Sequence, residues 1–124
     1  MNVLIVDDAR VMRKIIANAI QENYAVDSSG LNLTEADNGQ SAYELSQSRK
    51  FDIIFVDWNM PEMDGLELTR QIRKSGYHGP LIMITSEAAR YMVMEAVKAG
   101  VTDYIVKPVT GHKLWEKIGM YFRT

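Results

Sequence analysis

Apolar residues along the chain fall into two alternating patterns. Short β-branched runs at 3–6, 53–56, 81–84 and 104–106 are apolar at nearly every position. That is how strands read when a parallel sheet is covered on both faces. A fifth run, Asn32-Leu33-Thr34-Glu35-Ala36, is more polar and fits an edge strand. Between the runs, apolar residues recur at helical spacing. Val11, Ile15, Ile16, Ala19 and Ile20 line one face of the first such segment, and Leu66, Thr69 and Ile72 do so in the third. Helices are predicted near 9–22, 39–48, 64–74, 87–98 and 111–122.

Local signals mark the boundaries. Asp64-Gly65-Leu66-Glu67 has the form of a capping box. Lys98-Ala99-Gly100 reads as a helix end, a basic last turn followed by glycine. Ser75 to Pro80 is turn-rich and precedes a strand. Five strand–helix units of this length predict an α/β fold, a doubly wound five-stranded parallel sheet with five helices and right-handed crossovers. With 124 residues and no linker or low-complexity stretch, residues 1–124 are expected to form one domain.

The strand ends carry the candidate chemistry. Asp7 and Asp8 follow the first run, Asp57 the third, Thr85-Ser86 the fourth and Lys107-Pro108 the fifth. In a parallel sheet these positions gather three carboxylates, a hydroxyl and an ammonium in one crevice. Clustered carboxylates repel, which raises at least one pKa unless a cation sits among them. Magnesium suits such a set, because it takes oxygen ligands and keeps several waters. Asp8 and Asp57 can bind it directly and Asp7 through water, with Asp57 left as a nucleophile. Lys107 and the Thr85 hydroxyl are then the natural partners of phosphoryl oxygens.

Taken singly, each residue has a plainer reading. Asp8 and Asp57 read equally well as helix caps or turn formers. Thr85 reads as a cap for a helix starting near Glu87, and Lys107 as a solvated lysine. The chemical reading rests on all of them ending strands of one alternating pattern.

Asp7-Asp8, the stretch Asp57-Trp58-Asn59-Met60-Pro61-Glu62-Met63-Asp64-Gly65, Thr85-Ser86, Tyr104 and Lys107-Pro108 together resemble the response-regulator receiver family, and within it the single-domain chemotaxis regulators. These pieces are spread over essentially the whole chain. The resemblance, not the pattern, implies the flavodoxin-like strand order 2-1-3-4-5, with a crevice where strands 1 and 3 diverge. It also implies that Asp57 accepts a phosphoryl group from a histidine kinase. Asp7, Asp8 and the Asn59 backbone carbonyl then complete a magnesium site with Asp57. Lys107 binds the phosphoryl group, while Thr85 and Tyr104 report its presence. Phosphorylation adds strong acceptor oxygens; Thr85 reaching toward them vacates space for the Tyr104 ring. The face made by helix 4, strand 5 and helix 5 is the element so biased.

Asn59, two after Asp57, and Glu87, two after Thr85, are placed to orient the water that hydrolyses an acyl phosphate. Glu87 reads equally as a first-turn helix acid. Trp58 packs either over the site or toward helix 1. Met92 and Met94 are the methionines to watch as partner contacts. His78 and His112 have no partner at ligand spacing. Arg90, Lys98, Lys113 and Lys117 make helices 4 and 5 mildly basic, which suits either an acidic amphipathic target or simple solvation. Three departures from the family stand out. The 22–31 connection is longer, Ser86 replaces a smaller residue, and Val109 stands where phenylalanine is common.

Composition narrows partners and place. A net charge of −2 gives no argument for a nucleic-acid partner. The absence of cysteine excludes disulfides and thiol chemistry. No apolar run approaches the roughly 20 residues that span a bilayer, and the N-terminal run is too short for a signal peptide. A cytoplasmic protein without membrane contact and without an output domain of its own is expected. Its expected partners are a histidine kinase, a phosphatase and a target. That target is the flagellar motor switch, or the protein serves as a phosphate sink or relay. It is expected to be no turnover enzyme, beyond self-phosphorylation and self-dephosphorylation. Two other classes compete. A haloacid-dehalogenase-type phosphatase needs a general acid where Asn59 stands. A flavin protein needs glycines and hydroxyls where Asp7-Asp8-Ala9-Arg10 would repel phosphate.

Overall fold

The computed structural model describes residues 1–24 and 30–122. Five strands, β1 (Asn2–Val6), β2 (Asn32–Ala36), β3 (Ile53–Val56), β4 (Leu81–Thr85) and β5 (Asp103–Val106), alternate with five helices. The helices are α1 (Arg10–Asn23), α2 (Gly39–Ser48), α3 (Gly65–Lys74), α4 (Arg90–Ala99) and α5 (Gly111–Ile118). All strand pairs are parallel, in the order β2-β1-β3-β4-β5.

Side chains alternate across a strand, so each run feeds two cores. Val3, Ile5, Ile53, Phe55, Ile82, Ile84 and Ile105 pack against α1 and α5. Leu4, Val6, Ile54, Val56, Leu81 and Met83 pack against α2, α3 and α4. Burial on both faces is why β1, β3 and β4 read as unbroken apolar runs, while β2 is the partly exposed edge that its polarity predicted.

The elements fall where the pattern puts them, with four differences. α4 begins at Arg90, not at 87. α5 ends at Ile118, and residues 119–122 tighten into a 3₁₀ turn. On α1 the buried face holds Met12 and Ala17, whereas Val11 is 73% exposed and belongs to the opposite side. The capping box on α3 is half formed. The Asp64 carboxylate accepts the Glu67 N–H at 2.9 Å, but the Glu67 carboxylate turns outward to the Gln71 amide. Of the long 22–31 connection, α1 ends at Asn23 and β2 begins at Asn32; residues 25–29 lie outside the described residues.

Candidate functional site

The charged residues at the strand ends are fixed by the sheet's own ladder, one step past each strand. The Asp7 N–H donates to the Ala36 carbonyl, the Asp57 N–H to Val6 and the Lys107 N–H to Thr85, at 3.1, 3.0 and 2.8 Å. These bonds leave little backbone freedom, so the side chains converge by register and not by loop conformation. Oxygens of Asp7, Asp8 and Asp57 all lie within 4.8 Å of one another. Asp7 and Asp57 are 1% and 5% exposed, and Asp8 faces solvent. The Lys107 ammonium sits between the two buried carboxylates, 3.0 Å from Asp7 Oδ2 and 3.3 Å from Asp57 Oδ2.

The electrostatics follow from this spacing. Burial pushes the Asp7 carboxyl above its usual range, and the Asp57 charge adds to that. The Ala9 N–H and the Lys107 ammonium work the other way. For Lys107, burial lowers the pKa, but the facing carboxylates outweigh it and hold the ammonium above its ordinary value. Three ionised carboxylates against one ammonium leave two negative charges in a set made only of oxygen donors. That set fits a hard divalent cation in its ligand type and its charge.

Support comes from nearby backbone and side chains. Asp7 Oδ1 accepts the Ala9 N–H at 2.8 Å at the start of α1. Arg13 donates to the Asp7 carbonyl at 2.6 Å and pairs with Glu35 at 2.9 Å. Arg13 escaped the sequence reading, because its only signal was a basic residue on the first helix. Beneath Asp57 there is no spare room. A Cβ on Gly65 would lie 2.0 Å from the Asp57 carbonyl oxygen, so only glycine lets the 57–65 loop close on itself. Asp8, Trp58, Asn59, Met60, Pro61 and Asp64 line an open cleft of about 460 Å³ beside the carboxylates. Larger grooves of about 630 and 660 Å³ run beside α3 and at the start of α2, and hold none of the three site aspartates.

Thr85 is fully buried at the end of β4, and its hydroxyl accepts the Glu87 N–H at 3.3 Å. It does not cap a helix, since α4 starts five residues on. Glu87 is likewise no first-turn acid. Its carboxylate accepts the Asn59 amide at 3.0 Å, and its carbonyl accepts the Tyr104 hydroxyl at 2.6 Å. Burial raises the Tyr104 phenol, with Glu87 and Asp57 adding to it. Trp58 is buried with Val56, Leu68 and Met83 on the α3 side of the sheet, away from α1. His112, read as partnerless, has the Glu116 carboxylate 2.9 Å away, one turn along exposed α5.

The comparisons with known proteins agree with this geometry. The profile of the response regulator receiver domain matches residues 3–119. The chain belongs to the receiver family. Chemotaxis protein CheY of Pseudomonas aeruginosa is 43% identical over 98% of this receiver domain and 96% of its own length. CheY1 of Helicobacter pylori is 39% identical over 100% and 98%. Among solved structures, chemotaxis protein CheY4 of Vibrio cholerae superposes with a TM-score of 0.83 at 30% identity, covering 97% of each chain. A CheY-like receiver protein from Methanospirillum hungatei superposes at 0.84 with 25% identity, covering 98% and 92%. The receiver domain is thus of the CheY-like chemotaxis kind, and the phosphatase and flavin alternatives give way to it.

Proposed function

We propose that Asp57 is the phosphoacceptor of a two-component pathway, with a histidine kinase as donor. The observation that carries this reading is the Lys107 ammonium held between Asp7 and Asp57, 3.3 Å from the carboxylate that would react. A carboxylate oxygen of Asp57 attacks the phosphorus of a phosphohistidine. The O–P bond forms as the N–P bond breaks, and the departing imidazole keeps the electron pair and takes a proton from water. Lys107 moves from its carboxylates toward the new phosphoryl oxygens, and the buried Thr85 hydroxyl turns to donate to them. Asp7, Asp8, Asp57 and the Asn59 backbone carbonyl would hold a magnesium ion, which supplies charge neutralisation for an anionic donor. Asn59 and Glu87 orient the water that later hydrolyses the acyl phosphate, giving a short-lived signal. The protein acts as a switch, not as a turnover enzyme.

The output surface is the α4–β5–α5 face. Tyr91, Met94, Val97 and Val106 are exposed there, and Arg90, Lys98, Lys113 and Lys117 are exposed on the same two helices, beside the acids Glu95 and Glu116. That combination suits an acidic amphipathic helix, with the motor switch of the chemotaxis pathway as the target and the cytoplasm as the place of action. Among the described residues, no helix is long and apolar enough to cross a membrane.

The test is incubation with a small acyl-phosphate donor, with and without magnesium, read by intact mass. A magnesium-dependent phosphoryl adduct, lost in Asp57→Asn, is expected. A folded, metal-binding protein that gains no adduct from the acyl phosphate or from a phosphorylated histidine kinase would overturn the reading.

A further inference from the structure

α4 is held very differently at its two ends. At the C-terminal end, Gly100 adopts a left-handed conformation with φ 114°, and its N–H donates to Ala96 and Val97. The Gly100 carbonyl then accepts Arg73 Nε at 2.9 Å. Arg73 lies in the last turn of α3. Its other nitrogens donate to the carbonyls of Tyr77 and Gly79, at 2.9 and 2.7 Å, and to the Thr102 hydroxyl at 3.2 Å. Its guanidinium stacks 5.5 Å from the centre of the Tyr77 ring. The Thr102 oxygen also accepts the Leu81 N–H at 3.0 Å, which ties the cluster into β4. Ala96 and Val101, at this end, are buried.

The N-terminal end has no comparable anchor. Its N-cap is Ala89, which offers no side-chain acceptor, and before Ala96 no residue is fully buried, the half-buried Met92 being its contact with the core. In the 86–89 approach, the side-chain hydrogen bonds among the described residues all meet at Glu87. Glu87 accepts from Asn59 and Tyr104 and donates its N–H to Thr85. Those three residues adjoin Asp57 or report on it in the proposed mechanism.

We propose that Arg73 is a positioning residue that fixes the C-terminal turn of α4 as a fulcrum, and that Glu87 is the tether at the free end. The exposed side chains of Tyr91 and Met94 lie on the arm between them. A change at the Asn59–Glu87–Tyr104 contacts then swings the first turns of α4, while Gly100 stays where Arg73 holds it. The four directional donors of one planar guanidinium make this a rigid mount; lysine cannot reproduce it. The switching half of the idea rests on Asp57 being the phosphoacceptor, whereas the fulcrum does not.

Amide hydrogen exchange of the whole chain separates the two. In the unmodified protein, amides 97–101 are expected to be at least tenfold more protected than amides 93–95, which also have carbonyl partners. Arg73→Ala should erase that difference, Arg73→Lys should restore only part of it, and Ile20→Val, a core change on the opposite face of the sheet, should leave it. Equal protection along α4 in the wild type, or an identical pattern in Arg73→Ala and Ile20→Val, would overturn the fulcrum. Adding magnesium and a beryllium fluoride phosphoryl mimic should alter exchange in 86–95 and not in 97–101. A change running evenly through 101 would overturn the pivot. No change at all, with no phosphoryl adduct by mass, would count against the phosphoacceptor reading and leave the first arm to decide the fulcrum.

Discussion

Helices α3 and α4 have the same length, ten residues each, and each follows a strand that ends at the site. They are otherwise built to opposite purposes. α3 is capped by Asp64 and buries Gly65, Leu68, Thr69 and Ile72. α4 has no side-chain cap and buries only Ala96. The α3 helix is packed on the sheet beneath Asp57, so that carboxylate keeps its place. The α4 helix leaves Tyr91, Met94 and Val97 exposed and, among the described residues, rests on the core through Met92 and Ala96 alone. The proposed mechanism asks for a stationary Asp57 and a movable α4, and two neighbouring helices would divide that work.

The sharpest way to break the contrast is to empty each helix of a side chain. Leu68→Ala should cost about 2–5 kcal/mol, whereas Val97→Ala should stay within about 0.5 kcal/mol. Urea midpoints at unchanged m-value check this. Equal costs would mean that α4 is packed as firmly as α3. Next, Gly65→Ala forces a methyl into the Asp57 carbonyl and should cost about 1–3 kcal/mol or more. It should also diminish the phosphoryl adduct measured by mass. Magnesium at tenfold over its Kd should stabilise the fold by about 1.4 kcal/mol, and Asp8→Ala should abolish that gain. A thermal melt with and without the ion reads it directly.

Caps sharpen the comparison with a smaller effect. Asp64→Ala should lose about 1 kcal/mol, and Ala89→Ser should gain up to about 1 kcal/mol by giving α4 the acceptor that it lacks. The stabilised α4 should respond less to the phosphoryl mimic in hydrogen exchange. At neutral pH the last effect is silent, and it concerns the anchored ends of α3 and α4. Burial, with the Asp52 charge adding and Arg73 opposing, pushes the Tyr77 phenol up from its ordinary 10 to about 12. The folded state therefore holds this proton more tightly than the unfolded chain. The associated stability is complete below pH 10 and is lost as pH rises through 12. Alkaline absorbance titration of the wild type against Tyr77→Phe should isolate that late phenol.

The sheet and the carboxylate cluster were legible because both are written as strand ends. A run such as Ile53–Val56 names its strand, and the residue after it must emerge at the sheet's edge. The start of α4 was not legible. Glu87, Ala88 and Ala89 carry no helix breaker, so local propensity extends the helix back to Glu87. Instead, contacts from Asn59 and Tyr104, which are 28 and 17 residues away, hold Glu87 out of it. Arg73 was hidden for the same reason. In sequence it is one basic residue in a helix's last turn, and its partners Gly100 and Thr102 lie beyond the next strand. The exposure of Val11 is a phase error of one residue, because a helical face with Met12 satisfies the period as well as one with Val11 does.

The bond between Lys107 and Asp7 joins residues 100 positions apart. As the chain emerges from the ribosome, all three site aspartates are made long before their counter-charge. A chain that ends before β5 therefore lacks the ammonium that faces Asp7 and Asp57. The site is therefore complete only when the last strand has joined the sheet, because the counter-charge of its first carboxylate arrives with β5.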